Sequence, residues 1–230
     1  MLLSCATSGI GHAIMTHISD IEWIPASRSN PDHLALDFEQ ASHFPAVASR
    51  AGQLDGLVMI PPRVVPPDSL FPEPDQWNSY FSRLFVQPMA FLKTLLDVQT
   101  FPKPFKIVVI SGLSSVCALP HYGAANAMRL AWLGQTKSIA LTLAAQGVRI
   151  NTLSLGAVLT DSYIQKLQTK ADQQHITYDA QLAMETENVP TGCYSTAQDV
   201  AKAVGSLLGA MSDQMTGQNF VMDGGFFRGY

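Results

Sequence analysis

The stretch of sequence that decides the fold is residues 2–11, which read Leu-Leu-Ser-Cys-Ala-Thr-Ser-Gly-Ile-Gly. Its apolar start is typical of a short buried strand, and Gly9 and Gly11 indicate a turn into a helix. A glycine pair in such a turn lets the backbone approach a pyrophosphate, and the first amides of the helix attract the negative charge. The same pair also forms tight turns that bind nothing, so both interpretations stay open at this point.

Beyond this turn, short apolar segments alternate with longer helical ones. Strands are predicted at residues 1–6, 22–26, 33–38, 56–60, 105–111, 148–155 and 218–222. Helices are predicted at residues 11–19, 41–51, 75–98, 122–146 and 195–211. Gly147 should end the fourth of these helices, and Ser195 or Thr196 should cap the last. The alternation predicts an α/β fold, a single domain over residues 1–230 with a mainly parallel sheet of about seven strands and helices on both faces.

The composition excludes several classes of function. The chain has 14 Lys+Arg, 18 Asp+Glu and a formal net charge of −4, without a cluster of basic residues. We therefore expect no nucleic-acid binding through phosphate neutralisation and no polybasic membrane anchor. No stretch reaches the roughly 18 apolar residues that span a bilayer, and the amino terminus lacks the basic and apolar regions of a secretory signal.

The cysteines and histidines show no ligand pattern. Cys5, Cys117 and Cys193 are widely separated, and the 6 histidines have no metal-binding spacing. We therefore assign no metal site and no disulfide framework. Reduced thiols are typical of the cytoplasm, which is the expected location.

A basic residue follows the second predicted strand. In folds of this type the adenosine ribose lies there, and a carboxylate favours NAD whereas a cation favours the 2′-phosphate of NADP. Arg28, followed by Ser29, is such a cation. The alternative is a solvated loop charge.

These motifs and several later ones resemble the short-chain dehydrogenase/reductase family over nearly the whole chain. Residues 6–11 resemble the cofactor loop of that family, and Asp37 resembles the aspartate that touches adenine. Tyr122-Gly-Ala-Ala-Asn126 stands where the family has Tyr-x-x-x-Lys, and Thr160 matches a threonine that contacts the cofactor. Residues 148–156 and 216–225 resemble two further strands of the family.

The resemblance implies a Rossmann-type, doubly wound sheet and an oxidoreductase. Such an enzyme transfers hydride between NADP(H), here in preference to NAD(H), and a small carbonyl or alcohol substrate. The coenzyme-binding residues it implies are Thr7, Ser8, Gly9, Ile10, Gly11, Arg28, Ser29, Asp37, Asn126, Gly156, Val158 and Thr160. Tyr122 would donate or accept the proton, Ser111 or Ser114 would polarise the carbonyl, and Asn126 would hold a ribose hydroxyl.

The chain departs from the family pattern at five places. Cys5 replaces the first glycine of the cofactor loop, where a Cβ could restrict the turn. Residues 59–62 replace Asn-Asn-Ala-Gly, Leu84 stands at the helix asparagine, and Leu155 replaces the proline of Pro-Gly. Asn126 replaces the lysine, whose charge about 4 Å from a phenol is worth roughly 4 kcal/mol at an effective dielectric of about 20. Arg129 could supply a cation near the same face of the helix, although a surface salt bridge is the more ordinary role for such a residue.

The catalytic side chains have other interpretations too. Ser111, Ser114 and Ser115 could all satisfy turn amides, and Tyr122 could be a packed aromatic at the start of a helix. Ser114 is slightly preferred over Ser111 as the polarising group, provided that the loop re-aims it. The five departures also support a second hypothesis, a catalytically impaired protein on the same scaffold that senses a nucleotide or serves in assembly.

The remaining segments concern the substrate and partners. Residues 161–188 are polar and partly helical, as expected of a lid, and the Pro-rich residues 61–74 form a loop beside it. Small residues recur at Ala124, Ala127, Ala131, Gly134 and Ser138, which either pack the helix on the sheet or meet a second copy. The resemblance to the family, in which this helix pairs across a subunit boundary, implies a homodimer or homotetramer, and the apolar tail 226–230 suggests a further subunit contact.

Overall fold

Parallel strands form the centre of the molecule. The structure, a computed structural model, describes residues 1–67, 69–101 and 104–229, and it describes His121 by its backbone. Asp68 of the predicted loop and Tyr230 of the predicted tail lie outside the described residues. The strands in chain order are β1 (Leu2–Leu3), β2 (Ile24–Ser27), β3 (Leu34–Ala35), β4 (Gly56–Met59), β5 (Phe105–Gly112), β6 (Val148–Leu155), β7 (Val158–Leu159), β8 (Ser195–Thr196) and β9 (Asn219–Met222).

The main sheet has the strand order of a doubly wound fold. Its 7 strands run β3-β2-β1-β4-β5-β6-β9, and each neighbouring pair is parallel. The order reverses between β1 and β4, and ligands of such sheets bind in the crevice outside the carboxyl ends of the strands at that point. The predicted parallel sheet of about seven strands is confirmed.

Helices cover both faces of this sheet. They are α1 (Gly9–His17), α2 (His43–Ala51), α3 (Pro74–Phe81), α4 (Gln87–Leu96), α5 (Gly123–Leu143), α6 (Asp161–Gln174), α7 (Tyr178–Thr186) and α8 (Ala197–Leu208). One apolar cluster joins α2, α4 and α5 to the sheet, with Phe91 and Trp132 fully buried. A second cluster joins α1 and α8 to the other face through Ile14 and Val204.

The predicted helix over residues 75–98 is interrupted. A π-helical turn at Ser82–Val86 separates α3 from α4. Pro88 has no amide hydrogen to donate to the carbonyl of Leu84, which would be its partner in an α-helix. The indole Nε1 of Trp132 donates to that carbonyl instead, at 2.8 Å. The wider turn therefore tolerates the proline and binds the helix to α5.

Other boundaries differ by a few residues. The first helix begins at Gly9 rather than Gly11, and the last begins at Ala197 because Thr196 caps it by accepting a hydrogen bond from the amide of Asp199. Gly147 ends the α5 region with a left-handed φ of 97°, as predicted. Within the described residues, no helix is long and apolar enough to cross a bilayer.

Candidate active site

The turn between β1 and α1 presents backbone rather than side chains. Ser8 caps α1 by accepting a hydrogen bond from the amide of Gly11 at 2.9 Å. A Cβ on Gly11 would lie 2.7 Å from the carbonyl oxygen of Cys5, so only glycine allows the helix to start this close to the turn. The turn therefore places the positive end of a helix at the carboxyl end of β1.

Cys5 adopts a conformation that favours glycine. Its φ is 49°, in the left-handed region, as the sequence departure at this position predicted. Burial raises the pKa of its thiol to about 11, against the opposing effect of Arg28, so the thiol is neutral at physiological pH. The substitution therefore adds strain to the turn without adding charge.

A first cavity lies beside this turn, and we call it the turn cavity. It has a volume of about 490 Å³ and extends from Cys5 to Arg28 and Asp37. Eight of the predicted coenzyme-binding residues line it, namely Thr7, Ser8, Gly9, Ile10, Arg28, Ser29, Asp37 and Thr160. Gly11 is not among the described residues that line this cavity, but it allows α1 to start close to the carbonyl of Cys5.

The far end of the turn cavity carries mixed charge. Arg28 and Ser29 are exposed there, immediately after β2. Asp37 is half-buried, donates its amide to Nδ1 of His43 at 3.1 Å and accepts the amide of Glu39 at 3.0 Å. Glu39 in turn forms an ion pair with Arg83. Arg28 forms no ion pair with an acidic side chain among the described residues, so a negative ligand could bind to it.

Ser4 replaces the bracing that the family's asparagines would give to the loop after β4. Its hydroxyl accepts the amide of Ile60 at 2.8 Å and donates to the carbonyl of the same residue at 2.9 Å. The buried hydroxyl therefore fixes the end of β4 beside the turn cavity, and no sequence motif predicted this role.

A second cavity, the tyrosine cavity, adjoins the first. It has a volume of about 590 Å³ and is lined by Tyr122 and by six further predicted residues, namely Ile10, Ser111, Ser114, Gly156, Val158 and Thr160. Ile10 and Thr160 line both cavities. The closeness of Gly9 to Thr160 shows how tightly the two elements meet, because a Cβ on Gly9 would lie 3.2 Å from the Thr160 side chain.

The three candidate serines have different surroundings. Ser115 is buried, and its hydroxyl bonds that of Ser154 at 2.7 Å, away from the two cavities, so the structure assigns it to packing. Ser114 lies in a short helical turn after β5, lines the tyrosine cavity and accepts a hydrogen bond from Arg129. Ser111 lines the same cavity from the end of β5.

Asn126 points to a loop rather than into either cavity. Its Nδ2 donates to the carbonyl of Leu119 at 3.0 Å, and the same carbonyl accepts the amide of Tyr122 at 2.9 Å. The two bonds converge on the turn that precedes α5. Asn126 is therefore placed to hold this turn, on which Tyr122 stands.

The surroundings of Arg129 differ from those that the sequence predicted. The expected surface salt bridge is wrong, because the residue is half-buried and no acidic partner is found among the residues that the structure describes. Its Nη1 donates to Ser114 Oγ at 2.6 Å. Burial lowers the pKa of its guanidinium, while Tyr80 and Tyr122 oppose the shift. The cavity that holds Tyr122 therefore also holds a cation.

Four cavity residues escaped the sequence analysis. Tyr163 and Glu185 come from α6 and α7, Tyr194 follows α7, and Arg63 belongs to the Pro-rich loop. Lys170 bridges α6 to Glu185 of α7. Burial raises the pKa of Glu185, but Lys170 lowers it by a hydrogen bond and by charge, and the pKa ends below its usual range. The predicted lid could have indicated Tyr163 and Glu185 and the Pro-rich loop could have indicated Arg63, whereas Tyr194 lies outside both segments.

Solved structures share the fold of this chain. The L-sorbose reductase of Gluconobacter frateurii, determined with NADPH and L-sorbose, superposes with a TM-score of 0.89 at 16% sequence identity. The alignment covers 100% of this chain and 97% of that reductase. At this identity the likeness establishes the fold alone.

Curated relatives match at moderate identity. The 2-keto-3-deoxy-L-fuconate dehydrogenase of Xanthomonas campestris is 27% identical over 229 residues, which cover 97% of this chain and 74% of that enzyme. The 3-oxoacyl-(acyl-carrier-protein) reductase FabG of Rickettsia bellii is 28% identical over 120 residues. That match covers 52% of this chain and 45% of the reductase, less than half of its length.

A family model gives the assignment. The model described as enoyl-(acyl carrier protein) reductase matches residues 36–227, which include β4 to β9 and all of the tyrosine cavity except Ile10. The turn at residues 5–11 lies before the matched region, and it carries the geometry of a coenzyme-binding turn described above. The chain therefore belongs to the short-chain dehydrogenase/reductase family, and it is an oxidoreductase of the kind that uses a nicotinamide coenzyme.

Proposed function

We propose that this protein interconverts a small carbonyl compound and the corresponding alcohol with NADP(H). The observation that carries the proposal is the junction of the two cavities at Ile10 and Thr160. A dinucleotide that enters along the first turn would reach from Arg28 to Tyr122 without leaving the cleft. The nicotinamide coenzyme, when bound, supplies or accepts the hydride.

The first turn fits a dinucleotide. Gly11 lets the start of α1 approach the carbonyl of Cys5, and Gly9 and Ile10 at that end of the helix line the turn cavity. Thr7, Ser8 and Ile10 would hold the pyrophosphate, while Thr160 would close over it. The neutral thiol of Cys5 brings no charge that would repel the phosphates.

The preference for NADP(H) rests on the other end of the turn cavity. Arg28 and Ser29 follow β2, where the 2′-phosphate would lie, and Asp37 would contact the adenine. A guanidinium forms charge-assisted hydrogen bonds with phosphate that it cannot form with a ribose hydroxyl. Coenzymes without the 2′-phosphate should therefore bind less tightly.

Tyr122 would exchange the proton with the substrate oxygen. In the direction of reduction, its hydroxyl hydrogen moves to the oxygen while the carbonyl carbon gains hydride, and the proton returns from solvent. Asn126 holds the turn below Tyr122 through the Leu119 carbonyl, which makes it a positioning residue in this proposal.

Ser114 would polarise the same oxygen. Because its Oγ already accepts a hydrogen bond from Arg129, its own hydrogen remains available for an acceptor in the cavity. A donor that is itself bonded to a cation is a stronger donor. Ser111, on the end of β5, is the second candidate for this role.

Helices α6 and α7 would cover the substrate as a lid over residues 161–188. They contribute Tyr163 and Glu185 to the tyrosine cavity and are joined by the Lys170–Glu185 ion pair. A cavity of about 590 Å³ suits a small molecule beside a nicotinamide ring.

We also propose that the enzyme is a homodimer or homotetramer in the cytoplasm. An apolar groove of about 450 Å³ between α4 and α5 is lined by Met89, Leu96 and Ile139. On α5, Ala127, Gly134 and Ser138 are exposed. The alternative prediction, that these residues pack the helix on the sheet, is therefore wrong for them, and a second copy of the chain could approach them. Light scattering of the purified protein would test the assembly.

Coenzyme titration followed by a substrate screen tests the function. NADPH should enhance its fluorescence on binding at lower concentration than NADH, and a panel of small carbonyl compounds should oxidise NADPH in the presence of the enzyme. Tyr122→Phe should bind NADPH and lose turnover. Unchanged turnover in that variant would remove Tyr122 from the mechanism, and no binding of either coenzyme would refute the proposed function.

A further inference from the structure

Arg129 is a charge in the tyrosine cavity that forms no ion pair with an acidic side chain in residues 1–67, 69–101 and 104–229. Its guanidinium lies against the backbone of Gly112, where an added Cβ would come within 2.7 Å of Cζ. One N–H donates to Ser114 Oγ at 2.6 Å, and a guanidinium has five such donors. The side chain therefore stays fixed at the cavity wall with donors left for a ligand.

The carboxylates of the cavity are already engaged elsewhere. Glu185 accepts hydrogen bonds from Lys170 and Gln181. Asp223 accepts the amides of Gly225 at 2.8 Å and Phe227 at 2.7 Å. In the part of the chain that the structure describes, the ion pairs use other cations. A charge that is partly removed from water is stabilised by an opposite charge, so the guanidinium of Arg129 offers a binding position to an anion from outside the chain.

The place of Arg129 distinguishes substrate from coenzyme. The turn cavity, where the pyrophosphate would lie, does not include Arg129 among the described residues that line it. Arg129 lines the tyrosine cavity beside Ser114 and Tyr122, the side chains assigned to the reacting oxygen. The nicotinamide carboxamide is uncharged, so the anion would belong to the substrate.

We propose that Arg129 binds the carboxylate of the substrate, and that the substrate is a small oxo acid or hydroxy acid. This proposal rests on the proposed function and specifies its substrate class. The planar fork of a guanidinium matches a carboxylate with two parallel hydrogen bonds. Since Arg129 is bonded to Ser114, a carboxylate on Arg129 places a carbonyl one or two carbons away next to the Ser114 hydroxyl. The substrate would thus be oxidised or reduced at carbon 2 or carbon 3.

A binding experiment tests the proposal without turnover. Calorimetry of the NADP⁺-saturated protein would compare straight-chain carboxylates of two to eight carbons with the amides of the same length. We expect at least one carboxylate to bind tenfold or more tightly than its amide, because a charge-assisted pair contributes about 1.5–3 kcal/mol. Arg129→Met should abolish this preference. Arg50→Met removes an exposed arginine of α2 and should retain it. Equal binding of carboxylates and amides, or binding of neither, would overturn the proposal.

A kinetic experiment separates anchoring from catalysis. With a 2-oxo acid and its methyl ester, such as 2-oxohexanoate and methyl 2-oxohexanoate, Arg129→Met should lower kcat/KM for the acid at least tenfold more than for the ester. The weaker Ser114 donor lowers kcat for both substrates alike, whereas the lost carboxylate contact raises KM for the acid alone. Arg129→Lys should recover part of the affinity for the acid, and thermal melting of each variant confirms folding. Equal losses for acid and ester would place Arg129 on the reacting carbonyl and contradict the proposal.

The two proposals fail in different ways. If neither coenzyme binds, the proposed function is wrong, yet calorimetry of the coenzyme-free protein still measures the preference for carboxylates. If neutral ketones are reduced and no carboxylate is preferred, the proposed function stands and the substrate class does not.

Discussion

The turn cavity and the tyrosine cavity adjoin, but they are built from different parts of the chain. The turn cavity depends on backbone: the amides that start α1, the glycine that lets them approach, and the ends of β1 and β4. The tyrosine cavity depends on side chains, chiefly Tyr122, Ser114 and Arg129 between the end of β5 and the middle of α5, with Tyr163 and Glu185 from α6 and α7. The two halves of one cleft therefore respond differently to substitution.

The difference explains which departures from the family pattern are tolerated. Cys5 keeps the turn open at the cost of a left-handed φ, since the amides that face the cavity do not depend on its side chain. Asn126 has no charge to replace that of lysine, and its amide bonds a loop instead. Arg129, one turn further along α5, supplies a cation to the tyrosine cavity. A site formed by backbone keeps its geometry when one side chain is replaced, whereas a site formed by side chains needs another residue to supply the lost group.

The largest effect should follow from Tyr122→Phe. If the phenol exchanges the proton, kcat should fall roughly 10²–10⁴-fold, the usual contribution of a general acid or base, with the affinity for NADPH unchanged. Stopped-flow turnover and fluorescence titration measure the two quantities. Tyr178→Phe, on the lid helix α7, is the control. If the affinity for NADPH fell as much as kcat, Tyr122 would be assigned to coenzyme binding, and the two cavities would not have separate roles.

Ser114→Ala should have the next largest effect. Loss of a donor to the reacting oxygen costs about 10²-fold in kcat in comparable sites. The variant also removes the acceptor of the Arg129 hydrogen bond, which could disturb the cleft. An unchanged affinity for the coenzyme would show that the structure of the cleft is retained. Ser111→Ala, on the same wall, should cost less. A larger loss in Ser111→Ala would exchange the roles of the two serines.

Arg28→Ala should act on the other half of the cleft. The ratio of Kd values for NADH and NADPH should fall tenfold or more, because a charge-assisted contact with the 2′-phosphate is worth about 1.5–3 kcal/mol. The value of kcat with saturating NADPH should change little. Arg50→Ala controls for the change in net charge. An unchanged ratio would show that Arg28 is a solvated loop charge.

Cys5→Gly should have the smallest effect. Relief of the left-handed conformation is worth about 1–2 kcal/mol, while lost packing and the flexibility of glycine in the unfolded chain cost about as much. The free energy of unfolding, measured with urea, should therefore change by less than about 1 kcal/mol. Destabilisation well beyond that value would show that the thiol, rather than the turn, is what this position requires.

The fold was predictable because its signals are local and periodic. The seven strand segments and the glycine turn are continuous in sequence, and the parallel arrangement follows from their alternation with helices. The interruption in the helix of residues 75–98 was not predicted, since it depends on an indole of α5 that reaches the carbonyl of Leu84. That contact joins residues 48 positions apart.

The lining of the candidate site was predictable around the turn cavity and less so around the tyrosine cavity. The spacing of residues 7–10 places those residues together in the turn cavity. The direction of a side chain on α5 was not predictable from spacing alone, which is why Asn126 and Arg129 stand in other surroundings than expected. Ser114 reaches the cavity because a short helical turn follows β5, a feature without a sequence signal.

A crystal structure with NADP⁺ bound is the most direct test of the central claim, that one coenzyme joins the two cavities. We predict the pyrophosphate at the start of α1, the 2′-phosphate beside Arg28, and the nicotinamide ring close enough to Tyr122 for a substrate carbonyl to lie about 3–3.5 Å from the reacting groups. A nucleotide bound elsewhere, or one whose nicotinamide end points away from Tyr122, would contradict it.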